Sequence, residues 1–572
     1  MQIWRVNVRT QTLAIKETPV LWKKLGGRGL LARILVDADI ADCDPLGPRN
    51  RLIFAPGLLV GHRLSSCDRI SVGAKSPLTG GVKESNAGGR TGYHMAALGM
   101  KALIIEDRPD NPQEAGWWTL VLSKEGARFD PADDLAGLGV YAAAPKLLER
   151  YGDKVAISLI GPGGEMLMAG AGIQNIDKDR TPSRINARGG MGAVMGSKRL
   201  KAIVFDDSGG ERPPIADPAA FKAATKAYHK ALLGHPQTKV YADYGTAAMT
   251  RLCNGLGAIP TRNFSAGQFE GADRISGEAL RELILARDGE GETTHACMAG
   301  CSIRCSNIFA DDSGAEVVSP VEYETIGLMG SNLGIDSLDD IAHLNWHVND
   351  LGLDSIEIGA ALGVACDAGL MAFGDGERAR ELLEEIRQGT ALGRVLGNGA
   401  TTTGKVYGVE RVAAVKGQAM SAYDGRAIKG TGVTYATSPQ GADHTAGLTI
   451  RAQVDHLSPE GQVELSRNAQ INMAGFDTLG ACIFAGFGFA AAIETISQLL
   501  NARYGWEADA GILQELGKET IALEREFNRQ AGFTAQDDRM PEWMTRQPLP
   551  PHNAVFDVPS EELDRIFEGI EG

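Results

Sequence analysis

The sequence predicts an α+β protein, with a strand-rich N-terminal domain followed by two mainly helical domains. Three observations predict it. Short apolar runs separated by Gly, Pro, Asp and Asn fill the first 210 or so residues. A polar stretch rich in Gly and Pro, DDSGGERPPIADP at 206–218, then breaks the pattern. Beyond it, helical periodicity dominates. The expected domains are residues 1–210, 211–400 and 401–572.

Each element has a local reason. Residues 2–8 alternate apolar and polar, the period of a half-buried strand. The runs at 51–55, 102–106, 118–122, 155–160 and 202–205 are short, apolar and bounded by turn formers. Asp217-Pro218 places an N-cap before a proline at the first turn, which opens a helix to about residue 233. Further helices are expected at 277–287, 337–350, 355–368, 377–388, 461–470 and 508–530. A softer boundary is expected at 397–404, where TTTGK interrupts the pattern. No repeat of solenoid type is evident.

Composition narrows the function. The chain has 572 residues and 72 glycines, close to one in eight, many in clusters beside Arg, Ser or Asn. Such clusters suit a backbone that approaches something bulky. The formal net charge is −15 and no basic run stands out, which argues against nucleic acid or an anionic membrane surface as partner. The longest near-apolar stretch, 479–493, holds three glycines and is too short to span a bilayer, so a buried helical segment is expected. Residues 1–9 lack the order of a signal peptide, and a cytoplasmic, reducing location is expected.

In that setting clustered cysteines read first as metal ligands. Cys297, Cys301 and Cys305 stand four residues apart, where a short helix-like loop could aim them at one point. A [4Fe–4S] cluster needs a fourth thiolate. Cys253, Cys366 and Cys482 are the remote single candidates, and physics alone does not choose among them. Zinc would want a second Cys or His pair, and none appears. Two glycine loops invite a dinucleotide reading. That at 190–196 has the wrong last spacing, and that at 27–32 has no convincing strand before it.

Nine motifs in order carry a resemblance to a known family. They are Leu25-Gly-Gly-Arg-Gly-Leu30, Lys75-Ser-Pro-Leu-Thr-Gly80, Ser85-Asn-Ala-Gly-Gly89, Ala187-Arg-Gly-Gly-Met-Gly192, the cysteine triplet, Glu322-Tyr-Glu-Thr325, Asn349-Asp-Leu-Gly-Leu-Asp354, Tyr435-Ala-Thr-Ser438 and Asp477-Thr-Leu-Gly-Ala-Cys482. On these the chain resembles the tungsten-dependent aldehyde:ferredoxin oxidoreductases over essentially its whole length, in a bacterial branch. The resemblance implies a tungsten or molybdenum ion held by two pterins, with the N-terminal domain as their cradle, beside one [4Fe–4S] cluster. It implies Cys482 as the fourth cluster ligand, and Asn349, Asp354 and Asp477 as pterin-gripping residues. It also implies Mg2+ between the pterin phosphates, on the carbonyls of Asn86 and Ala187. Backbone oxygens suit that hard ion.

Arg69 and Arg188 are candidates for anionic contacts near the cofactors. Glu324 is the implied general base, with Glu322 the neighbour that could take its place, and His444 the residue facing the metal and the substrate oxygen. His295 could tune the cluster through a hydrogen bond. Asn349 stands where the family's pattern has Asp, and the triplet is C-x3-C-x3-C where archaeal members have C-x2-C-x3-C. The implied reaction is oxidation of an aldehyde to a carboxylic acid with water as oxygen source. Electrons would leave to a ferredoxin or polyferredoxin-like subunit, with a flavin/NAD subunit as a further partner in a complex. The alternative is the active-site subunit of a tungsten-dependent benzoyl-CoA reductase, which shares the scaffold.

Overall fold

The structure is a computed structural model that describes residues 1–112 and 114–570. Every strand expected from apolar alternation is present within a residue or two. Six further strands that the pattern does not announce join them in two six-stranded sheets. The first runs Thr12–Glu17, Gln2–Asn7, Met100–Glu106, Leu52–Pro56, Ile70–Lys75, Val82–Ala87. The second runs Gly126–Pro131, Trp118–Ser123, Leu200–Phe205, Ala156–Leu159, Ile173–Ile176, Pro182–Asn186.

The two sheets are the same design used twice. In each, the first strand pairs antiparallel with the second and parallel with the sixth, and the remaining pairs are antiparallel. The sequence keeps a trace of this at an offset of 100 residues (186 − 86). Asn86, Ala87, Gly89, Gly92, Met95, Lys101 and Ala102 are matched by Asn186, Ala187, Gly189, Gly192, Met195, Lys201 and Ala202. In both halves this segment ends an edge strand, turns through glycines at positive φ and opens a short helix. The two edge strands meet. Asn186 Nδ2 donates to the carbonyls of Ile70 (3.2 Å) and Ser85 (2.6 Å) in the other sheet.

The helical part begins at Pro218–Gly234, capped by Asp217 as expected. The helices at Gly277–Ala286, Leu338–Asp350, Ser355–Asp367, Gly376–Gln388 and Ile512–Gln530 follow the sequence pattern, and four are capped by Ser276, Ser337, Asp354 and Asp375. Three expectations are corrected. TTTGK does not interrupt the chain but lies in helix Ala400–Tyr407. Buried Glu357 accepts the Ala400 N–H at 3.0 Å, and Thr403 Oγ1 bonds back to the Gly399 carbonyl, so these polar residues support the helix. The helix expected at 461–470 continues to Leu479. The apolar stretch after it is two short helical pieces, Ile483–Ala485 and Gly486–Ala491, rather than one. No single described helix is long and apolar enough to cross a membrane.

Glycines let the C-terminal helices approach the first sheet and each other. A Cβ on Gly57 would lie 2.0 Å from the Gly480 amide, and one on Gly517 would lie 2.0 Å from the Ile471 carbonyl. The Leu58 and Leu59 amides donate to the Thr478 and Leu479 carbonyls at 3.1 and 2.9 Å. The loop at 478–482 is thereby stitched to the N-terminal domain.

Candidate active site

The cysteine triplet departs from the helical loop expected of its spacing. It sits on an irregular crossing between two antiparallel strands, Glu292–His295 and Ser306–Ala310. Cys297, Cys305 and Cys482 line one cavity. Cys301 lies just behind, its Sγ 3.5 Å from Ser66 Oγ and bonded to the Cys297 thiol. That bond from Cys297 is the main cause pulling the Cys301 thiol down to about 5, and it pushes Cys297 up. Burial is the largest effect on Cys482 and Cys305 and pushes both up. Arg69 opposes it at Cys482, and Arg184 opposes it at Cys305 and Cys297. Two cations thus face the sulfurs, the setting that favours thiolates. The remaining buried thiols, Cys43, Cys67, Cys253 and Cys366, are not in the cavity lining.

The same cavity, about 1550 Å3 of atom-free space counting the part open to solvent, gathers nearly every residue the sequence singled out. Arg69, Asn86, Ala187, Arg188, Asn349, Asp354 and Asp477 line it, with Glu322, Glu324 and His444. Both repeated turns reach it, Asn86–Gly88 from one half and Ala187–Arg188 from the other. Asp354 caps helix Ser355–Asp367, accepting the Ile356 N–H at 3.0 Å. Asn349 ends helix Leu338–Asp350, where its carbonyl accepts Gln174 Nε2 at 3.3 Å.

Glu324 and His444 form a pair. Glu324 Oε2 accepts the Ala422 N–H at 2.8 Å. Its Oε1 lies 3.3 Å from His444 Nε2 but has no hydrogen bond and is shielded from solvent. His444 Nδ1 in turn meets Ser421 Oγ at 2.7 Å, and its ring packs against Tyr423. Burial raises the Glu324 carboxyl above its ordinary range, opposed by His444 and by the bond from Ala422. Glu322 lines the same cavity. Burial raises it too, and the charges it feels are Arg184, Arg69 and His444, toward the cysteines.

The two arginines are not free anion receptors. Arg69 donates through Nη2 to the Asn86 carbonyl at 2.9 Å and through Nε to the Asn86 side chain. Arg188 is spent on the protein. It reaches Asp354 (3.3 Å), Ser421 (3.3 Å), and the carbonyls of Ala442 (2.6 Å) and Ala419. It therefore ties the Asp354 cap to the loop carrying His444. Arg188→Met should strand buried carboxylates and cost about 3–5 kcal/mol. The check is the denaturant midpoint of the variant, and an unchanged midpoint would refute the strut.

Sequence reasoning missed four residues here. Arg184 has two guanidinium nitrogens, Nε and Nη2, buried without hydrogen bonds at the cavity wall. Glu84 also lines the cavity, and burial and the neighbouring Asp477 push its carboxyl up. Lys83 bonds Asp443 at 2.7 Å, fully buried. Arg28 clamps Glu524 at 2.7 Å and Asp477 at 3.2 Å. Only the offset of 100, which pairs Glu84 with Arg184, could have drawn attention to the first two.

The residues present suit what the motifs imply. Four sulfurs converge beside two cations, and a Cβ on Gly88 would come within 3.2 Å of Cys297 Sγ, so the wall there must stay bare. Glu324 offers an oxygen without a hydrogen bond at the cavity wall, 3.3 Å from His444 Nε2. Three ligand atoms within zinc-like reach do occur together among the described residues, in Asp177, Asp179 and His295, and the cysteines are not part of that group. Those three are an ion-pair network: His295 Nδ1 meets Glu292 at 2.9 Å and its Nε2 lies 3.3 Å from Asp179.

Comparison with known proteins decides the family. The profile for the aldehyde ferredoxin oxidoreductase N-terminal domain matches residues 3–207, and that for its domains 2 and 3 matches residues 223–568. The chain belongs to the aldehyde ferredoxin oxidoreductase family. It is 31% identical to the tungsten-containing aldehyde ferredoxin oxidoreductase of Thermococcus kodakarensis, over 96% of this chain and 91% of that one. The Pyrococcus furiosus enzyme of the same name is likewise 31% identical, with the same coverage. Among solved structures, the active site complex BamBC of benzoyl coenzyme A reductase shares the fold, with a TM-score of 0.79 at 17% identity, covering 99% of this chain and 92% of that one. Like its family, the protein is an oxidoreductase.

Proposed function

We propose that this protein oxidises aldehydes to carboxylic acids, with water as the oxygen source. The observation that carries the reading is the Glu324–His444 pair, set in the same cavity as the cysteines. A buried carboxylate with one oxygen anchored by Ala422 and the other unbonded is built to take a proton. Glu324 Oε1 would accept it from water or the hydrated aldehyde. His444 Nε2 would hydrogen-bond the substrate oxygen, with Ser421 fixing the ring through Nδ1. Tyr423 packs on the ring and holds it in place.

A tungsten bis-pterin, or its molybdenum equivalent, would supply a Lewis acid and a two-electron sink when bound. Two pterins match the two repeated turns, one from each sheet, whose backbone amides suit phosphates. The motifs ending in Asp354 and Cys482 would grip them from the helical side. The carbonyls of Asn86 and Ala187 would serve Mg2+. Cys297, Cys301, Cys305 and Cys482 would hold the [4Fe–4S] cluster, through which electrons leave singly to an iron–sulfur partner. We place the reaction in the cytoplasm, where thiols stay reduced.

The identity of 31% to aldehyde enzymes supports this over the benzoyl-CoA reductase alternative, whose solved relative is 17% identical. Holoenzyme assayed with benzaldehyde and with benzoyl-CoA separates the two readings. The single chain should reduce a viologen dye with aldehyde and should not reduce NAD, a step left to a separate flavin subunit. NAD reduction by this chain alone would overturn the flavin-free reading.

A further inference from the structure

We propose that the groove on the outer side of the cysteine loop is the docking surface for a small acidic iron–sulfur protein that carries electrons away. The proposal rests on the redox reading above and adds to it a place and a charge.

The groove floor is Gly89 with Met298 and Ala299, residues of the loop between Cys297 and Cys301. Gly88 lines the inner cavity and Gly89 the groove, so one wall separates them. Successive Cα atoms are about 3.8 Å apart, which makes that wall thin. Cys297 Sγ presses on its inner face, close to Gly88, while Ala299 is exposed on the outer one. The loop is also pinned from outside the cavity: Ser302 Oγ meets His229 Nε2 at 2.7 Å, and the Ser302 N–H donates to Ser65 Oγ.

The charge of the groove runs against that of the protein. Arg63, Arg90, Lys154, Lys178 and Arg180 line it, against three carboxylates. Asp68 accepts the Gly61 N–H, Asp207 pairs with His94, Asp153 pairs with Arg180 and Asp179 with Lys178, which leaves Arg63, Arg90 and Lys154 as the lining cations without an ion pair among the described residues. A cationic rim on a chain of net charge −15 attracts an acidic partner that the rest of the surface repels. Single-electron traffic explains why that place lies over the sulfurs.

The test uses holoenzyme, a low-potential clostridial-type ferredoxin with two clusters, and benzyl viologen. Lys154→Glu/Arg180→Glu should raise KM for the ferredoxin about tenfold at low ionic strength and flatten its salt dependence. The rate with the dicationic dye should not fall. Lys518→Glu, an exposed charge reversal on helix Ile512–Gln530, should leave ferredoxin kinetics unchanged. Calorimetric titration of holoenzyme with the ferredoxin reads docking without turnover. Unchanged affinity and KM in the double variant would overturn the surface. Loss of dye reduction by wild-type protein with every aldehyde would instead overturn the proposed reaction, and the titration would still decide the docking.

Discussion

Glu324→Gln is expected to lower aldehyde turnover by about 10²-fold or more. Iron and tungsten content should stay at wild-type levels. The reason is local. Glutamine keeps an oxygen for the Ala422 N–H, so the anchor survives, but it has no basic oxygen to replace Oε1. Glu322→Gln should do less, because the charges that act most on that carboxyl are Arg184 and Arg69, ahead of His444. Near-wild-type rates for Glu324→Gln would remove it as the base.

The same geometry sets a pH profile. Burial raises the Glu324 carboxyl above its ordinary value, and a base works only when deprotonated. Turnover should therefore rise with pH through a value above about 4.5. His444 lowers that value, so His444→Gln should move the acid limb to higher pH. An acid whose folded value is raised stabilises the fold least when ionised. Its contribution is present below the unfolded value and lost as pH rises through the folded one. Glu324→Gln should accordingly flatten the fall in thermal midpoint over that interval.

How far the sequence reaches differs between elements and site. Six strands of the first domain are legible because each is a short apolar or alternating run between turn formers, whereas polar strands such as Val82–Ala87, Gly126–Pro131 and Pro182–Asn186 carry no such signal; the capped helices are legible because Asp217, Ser276, Ser337 and Asp375 announce themselves. The motifs name the cavity residues because Gly-rich turns and cysteines stand out against any background. What stays hidden is long-range pairing. Nothing local tells Lys83 that its partner is Asp443, or Arg28 that it will lie between Asp477 and Glu524. Arg188 looks like a phosphate ligand by residue type, and only its four contacts reveal a strut. The repeat was readable in principle, from Asn86-Ala87 and Asn186-Ala187 onward, but intervening insertions leave about seven scattered matches with no solenoid period.

Cys482→Ala is expected to abolish the cluster, with iron falling from about four per chain toward zero. The prediction is sharp because the sulfur is not what positions its own loop. The Cys482 N–H donates to the Ser66 carbonyl at 2.7 Å, the Gly480 carbonyl accepts the Arg69 N–H at 3.2 Å, and Gly480 takes the positive φ that ends the long helix. Alanine preserves all of this, so the variant should fold with the cavity intact and merely lack one of four thiolates. Aldehyde-dependent dye reduction should vanish in parallel. Cys366→Ala, a buried thiol on helix Ser355–Asp367 away from the cavity lining, should keep full iron and activity. Full iron in Cys482→Ala would mean that the sulfur facing Arg69 is not a ligand. The distant partner of the triplet would then have to be sought at Cys67, whose buried thiol feels the charges of both Cys301 and Cys482.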